Sequence, residues 1–248
     1  MQDKYAQGVL PGMNGLLIQL RSVARKTKIT RLYHHIAYRL SLREHGYEEK
    51  FHEAMLAELR PGDIVWDIGA NCGVYTQIFC EKVGSGGHVI AFEPTPDVYR
   101  ELCSQTGGFN WVRNEQKAVS DFDGSAFFEM SGVSRGNHLS ATLPANGASS
   151  VEVEVIRGDS YWKKSGKTPN LIKIDVEGFE EEVIVGSGEL LLAPELRGIF
   201  VEVHFSVLEK RGRATAPLRI EKTLRGKGFT PKWVDRSHIV ALRQPASA

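Results

Sequence analysis

The run Asp63-Ile64-Val65-Trp66-Asp67-Ile68 ends in the small-residue turn Gly69-Ala70-Asn71-Cys72-Gly73, and apolar residues resume at Val74. A short apolar run that closes on an acid and a tight loop reads as a buried strand delivering the chain into a helix. A second apolar run, His88-Val89-Ile90-Ala91-Phe92, closes on Glu93, about 20 residues past the loop, where an acid is placed to grip a ribose. Glycine lets a backbone adopt positive φ and approach a ligand closely. Together these features predict a nucleoside-containing cofactor over the first two strands of an α/β sheet.

At 248 residues and a net charge of +1, the chain can build one α/β domain with a substantial core and an added segment. Its balanced charge argues against a nucleic-acid partner. Cys72, Cys80 and Cys103 include no CxxC pair, so they suit a reducing compartment and offer no zinc cage. Cys72 has no histidine base near it in sequence and is read as a small loop residue. Met1 to Gly12 is polar and Leu16-Leu17-Ile18 is too short to span a bilayer, which makes a cytoplasmic location the expectation.

Residues 1–60 are expected to form an N-terminal helical extension, and 61–248 the catalytic domain. Between Asn14 and Arg43 two apolar stripes recur at helical spacing, with Arg21, Arg25, Lys26, Lys28, Arg31, Arg39 and Arg43 around them. This basic face is read as solvated; its sharper reading is peripheral contact with a lipid-linked substrate or membrane interface. Tyr33, His34, His35 and Tyr38 are assigned to packing ahead of a substrate cleft. A third helix, Glu48 to Leu59, stops at Arg60-Pro61-Gly62. Strands and helices then alternate, as in a doubly wound sheet. Ser125–Met130 and Val151–Ile156 read as an added pair of extended segments, and Ser131–Ser150 as a loop over the substrate. Phe229–Val234 and His238–Leu242 read as a closing hairpin around Asp235-Arg236-Ser237.

A dinucleotide fingerprint would be GxGxxG. Here the pattern is Asp67-x-Gly69-x-Asn71-x-Gly73, and an acid at the strand tip suits the ammonium of a methionine-derived tail better than a pyrophosphate. S-adenosylmethionine is therefore preferred to NAD. Glu93 would accept both ribose hydroxyls as a charge-assisted pair. Asp121, after Ala118-Val119-Ser120, is a candidate for the adenine amino group, with a plain turn before Gly124 as the alternative.

Four segments occur in order: Asp67-Ile-Gly-Ala-Asn-Cys-Gly-Val-Tyr-Thr76, Phe92-Glu-Pro-Thr-Pro96, Ala118-Val-Ser-Asp121 with Gly124, and Ile172-Lys-Ile-Asp-Val-Glu-Gly-Phe-Glu180. In these the chain resembles the FkbM family of S-adenosylmethionine-dependent methyltransferases, over roughly Leu59 to His204. The resemblance implies a Rossmann-like class I methyltransferase fold with a mostly parallel seven-stranded sheet. It implies methylation of a hydroxyl on a sugar, glycan or secondary metabolite. It also implies cofactor contacts from Asp67, Gly69, Ala70, Asn71, Gly73, Thr76, Glu93, Pro94, Val119 and Asp121. A homodimer is left open.

An alcohol is a poor nucleophile until a group takes its proton or a metal acidifies it. Asp175 and Glu177 are two apart, and Glu202 and His204 repeat that spacing on the next strand, so each pair would project to one side if extended. In the preferred reading His204 is the base, Glu202 or Glu177 orients it, and Asp175 shapes the junction of cofactor and substrate. In the other, Asp175, Glu177, Glu202 and His204 hold Mg²⁺ or Mn²⁺. Glu177 has a rival role as a helix-start acid alongside Glu180, Glu181 and Glu182. Trp162, Trp233 and Tyr161 are assigned to core packing ahead of stacking on a sugar. A cofactor-binding protein without catalysis, or a nitrogen acceptor, are the rival functions.

Overall fold

Short apolar strands stay buried on both faces only where helices cover each side. The computed structural model describes residues 49–129, 138–140 and 150–244; the predicted Asn14–Arg43 helices, with their basic face and Tyr33, His34, His35 and Tyr38, lie outside them. In chain order the elements are α1 (Glu49–Glu58), β1 (Ile64–Ile68), α2 (Val74–Val83), β2 (His88–Phe92), α3 (Pro96–Thr106), β3 (Val112–Glu115), β4 (Lys117–Ser120), β5 (Gly124–Glu129) and β6 (His138–Ser140). Then follow β7 (Ser150–Arg157), α4 (Gly158–Ser165), β8 (Leu171–Ile174), α5 (Glu180–Gly186), β9 (Gly198–Glu202), α6 (Phe205–Lys210), α7 (Ala216–Gly226), β10 (Phe229–Trp233) and β11 (His238–Arg243). No described helix is long and apolar enough to cross a membrane.

Seven strands form one sheet in the order β10-β11-β9-β8-β1-β2-β3. Only β11 runs against its neighbours, pairing antiparallel with β9 and β10, as the expected hairpin requires. The order reverses between β1 and β8, and ligands of α/β sheets bind at such a switch point, beyond the carboxyl ends of the strands. The register sorts side chains onto two faces. Trp66 lies beside Ile90 and Ile172, and Ile172 beside Ile199; all join Val183 and Ile184 of α5 and Ile220 and Leu224 of α7 in the larger core. The opposite face packs Val65, Val89, Leu171 and Phe200 against Phe79 and Val83 of α2 and Phe51 and Met55 of α1. Although sequence groups α1 with the extension, its Phe51 stacks on His238 with ring centres 4.2 Å apart. Burial of such a side chain stabilises by about 1.5–3 kcal/mol.

A second sheet, β4-β7-β5-β6, stands apart from the first. Its β5–β7 ladder is the antiparallel pair expected from Ser125–Met130 and Val151–Ile156. Within the predicted loop 131–150, residues His138–Ser140 pair with β5 as a strand, and residues 131–137 and 141–149 lie outside the described residues.

Candidate active site

A cleft of about 810 Å³, counting space open to solvent, lies at the switch point. Gly69 and Asn71 line it after β1, Glu93, Pro94 and Thr95 after β2, and Asp175, Val176 and Glu177 after β8. Ile68, Phe92, Val98, Ala118, Val119 and Phe179 give it apolar walls. At Gly69 φ is +80°, and a Cβ there would lie 1.8 Å from the Asp175 carbonyl oxygen. Only glycine lets β1 turn this closely beneath the end of β8. Asn71 is also left-handed, at φ 51°, which turns its N–H to Glu93 Oε2 at 3.2 Å. The Thr95 N–H donates to Glu93 Oε1 at 2.8 Å. Glu93 is 7% exposed; burial raises its carboxyl above the usual range, against the Thr95 and Asn71 hydrogen bonds. Each oxygen therefore holds one backbone donor and has a lone pair left for a hydroxyl.

Five expected cofactor contacts lie off this cleft. Asp67 is 0% exposed, set by β1 beside Lys173 of β8, and has no surface open to the cleft. It accepts the Thr76 hydroxyl at 2.6 Å and faces Lys173 Nζ at 3.3 Å. Thr76 is sealed with it. Ala70 packs on Ala91 and Leu102, and a Cβ on Gly73 would meet Leu102 of α3 at 2.7 Å, so both serve helix packing. Asp121 is exposed in the turn after β4, where its carboxylate takes the Ser120 hydroxyl. Cys72 is no activated nucleophile, since burial and the Glu101 charge push its thiol up.

The four expected catalytic residues do come together, but Asp175 and Glu177 do not lie on extended chain. Strand β8 ends at Ile174, and Glu177 and Gly178 both turn through positive φ, 51° and 92°. That turn brings Glu177 Oε2 to 3.4 Å from His204 Nε2, with Asp175 Oδ1 at 3.7 Å and Glu202 Oε1 at 3.8 Å. Glu177 is thus part of this cluster instead of a helix-start acid. Burial pushes the His204 imidazole down, yet the Glu180 hydrogen bond and the Glu180, Asp175 and Glu177 charges outweigh it and hold the pKa at about 9. His204 therefore holds its proton more tightly than a free imidazole, which weakens it as a base at neutral pH. Its orienting partner is also not the expected one: Glu180, 0% exposed, takes His204 Nδ1 at 2.7 Å and the Gly178 N–H at 2.8 Å. Burial raises the Glu177 carboxyl more than His204 lowers it. One ligand atom each from Asp175, Glu202 and His204 lies within 4.8 Å of the others.

Sequence reasoning passed over Glu180, Lys173 and His238. By sequence Glu180 groups with Glu181 and Glu182, but those two pair with Arg213, Arg219 and Arg211. Lys173 carried a usable signal, a lysine inside the apolar strand Leu171–Ile174. His238 joins the site through Glu202, at 3.6 Å, while Asp235 holds its Nδ1 at 2.8 Å. Tyr161 is core, edge-on to Trp66 and Phe92, and Trp162 is half-buried with its indole N–H on Thr168. Trp233, also assigned to packing, is exposed.

A doubly wound sheet of this order, with a buried acid at its switch point, has the fold of Rossmann-like methyltransferases. The same fold is found in a candidate rRNA methylase from Clostridium thermocellum, at a TM-score of 0.53 and 12% identity over 82% of this chain and 97% of that one. The methyltransferase FkbM domain model matches residues 67–231, and the chain belongs to that family. It is 31% identical over 157 residues to the hexuronic acid methyltransferase AglP of Haloferax volcanii, covering 62% of this chain and 61% of the relative's length. It is 31% identical over 203 residues to the 31-O-demethyl-FK506 methyltransferase FkbM of Streptomyces tacrolimicus, covering 70% of this chain and 75% of the relative.

Proposed function

We propose that the protein transfers a methyl group from S-adenosylmethionine to a hydroxyl of a sugar, glycan or secondary metabolite. One observation carries this reading: a single cleft is walled at one end by Glu93 and at the other by Asp175 and Glu177 of the His204 cluster. The residues present fit the cofactor. Glu93 has the acceptor capacity for two ribose hydroxyls, Phe92, Val98 and Val119 give an adenine apolar walls, and Asp175 replaces Asp67 as the carboxylate open to the ammonium. The bound cofactor supplies an electrophilic methyl group on a sulfonium. Glu177 takes the acceptor hydroxyl's proton on its carboxylate, and the His204 imidazolium holds the surrounding carboxylates together and aimed. The AglP and FkbM relatives, named for a hexuronic acid and a demethylated natural product, support an oxygen acceptor. Incubation with methyl-labelled cofactor and a panel of hydroxylated acceptors tests it; label on nitrogen alone, or on nothing, would sink it.

The deprotonation is proposed to be metal-free, with His204 held on the buried Glu180 at 2.7 Å in the middle of the carboxylates. Chelator-treated protein should keep its full turnover. A loss that Mn²⁺ restores would instead assign Asp175, Glu202 and His204 to a cation, as their spacing also allows.

Glu93→Gln should weaken binding of S-adenosylhomocysteine by about 10- to 100-fold, the loss of charge-assisted hydrogen bonds. For the wild type, calorimetry should find affinity falling as pH drops through the raised Glu93 pKa, since protonation removes an acceptor. The variant should lose that acid limb. An unchanged affinity would remove Glu93 from the ribose site.

A further inference from the structure

The geometry points to a stacking subsite for a neutral sugar ring, made by Phe205 and Trp233 at the acceptor end of the sheet edge. This rests on the reading of the chain as a hydroxyl methyltransferase and names the kind of acceptor it takes. The two rings lie 5.7 Å apart at 34°. They are 45% and 36% exposed, while nearly every other large aromatic of the sheet is buried. Trp233 is held in place, because its indole N–H donates to Glu221 Oε1 at 2.6 Å. A solvent-facing pair of this kind, with Trp233 fixed by that bond, presents two tilted apolar ring faces at little entropic cost.

Its position along the sheet says what it faces. Strand β10 runs parallel to β9, two places away in the order β9-β11-β10, or about 10 Å at the spacing of sheet strands. Trp233 shares a rung with Ile239 and Val201, and so sits on the face that also carries the cleft-lining Ile68 and Phe92. Phe205 directly follows His204 at the start of α6. Passing along the edge from Glu93, the order is therefore cofactor acid, Asp175 and Glu177, then Glu202 and His204, then the aromatic pair. An acceptor whose hydroxyl meets the cluster lays its next ring over Phe205 and Trp233. Along that path the five carboxylates Asp175, Glu177, Glu180, Glu202 and Asp235 outnumber the cationic groups Lys173, His204 and His238. A ring bearing its own carboxylate is opposed there, whereas the C–H face of a neutral hexopyranose is not.

Difference emission between the wild type and Trp233→Phe isolates the Trp233 signal. Protein saturated with S-adenosylhomocysteine would be titrated with neutral methyl hexopyranosides (gluco, galacto, manno and 6-deoxy) and with methyl hexuronides. Neutral glycosides should change that emission and hexuronides should not, and Phe205→Ala should weaken the binding by about tenfold, as expected for lost apolar contact. No response to any neutral glycoside, an equal response to the hexuronides, or a response that Phe205→Ala leaves unchanged would overturn the assignment. Calorimetry of the cofactor step keeps the two readings apart. Protein that binds S-adenosylhomocysteine but answers to no glycoside loses only this subsite, and protein that binds neither loses the methyltransferase reading as well.

Discussion

Lys173→Met should cost about 3–5 kcal/mol of folding stability, the range for breaking a buried ion pair from one side. Lys173 is 3% exposed. Its Nζ lies 3.3 Å from both Asp67 Oδ1 and Asp175 Oδ2, and 3.4 Å from the Gly69 carbonyl. Burial alone would lower its pKa, but the Asp175, Asp67 and Glu202 charges more than reverse that and raise it. The sign follows: a raised lysine pKa stabilises the fold fully below the unfolded value and is lost only as pH climbs through the folded one. Its contribution is therefore constant across neutral pH. Methionine would leave Asp67 buried with only the Thr76 hydroxyl for company. Urea unfolding should register the loss, and the midpoint of thermal unfolding should fall by roughly 10 °C, at 2–4 °C per kcal/mol for a domain of this size. Adding Asp67→Asn should recover part of it, because the fully buried carboxylate is then neutral, while Asp175 keeps some contact with solvent. A loss below about 1 kcal/mol, the range of exposed pairs, would mean that water reaches Lys173.

His204→Ala should lower turnover by about 10²-fold or more while S-adenosylhomocysteine affinity stays near normal, since His204 is not among the residues lining the cleft. The pH profile decides how it works. With Glu177 as the proton acceptor, activity should rise with pH through its raised pKa. It should fall again as His204 loses its proton near pH 9. His204→Ala should abolish the alkaline limb. If His204 were itself the base, the wild-type rate would climb up to about pH 9 and level off. Activity that survives the substitution intact would remove His204 from the chemistry altogether.

The residues that proved hardest to place from sequence were those whose partners come from other strands. The spacing Asp175–Glu177 and Glu202–His204 brought to notice four residues that the structure clusters, though the turn at Glu177 does not support the reason given for the first pair. Asp67 looked like a cofactor ligand because an acid beside a glycine loop has two uses, and sequence does not say whether a lysine lies opposite it. Glu180 looked like one of three interchangeable helix-start acids, yet only it faces His204. Glu93 differed in having no such rival partner nearby, and its neighbours in the loop donate to it directly.

The order of apolar runs, turns and glycines determined by itself the alternation of strands and helices and the acid-tipped second strand. These depend on side-chain period and backbone freedom within a few residues. Which carboxylate is sealed against Lys173, which one steers His204, and which aromatics stay in solvent were decided only by tertiary structure. The physical reason is that pairing register between distant strands sets each side chain's neighbours, and a charge buried beside its partner behaves quite unlike the same charge left open to a ligand.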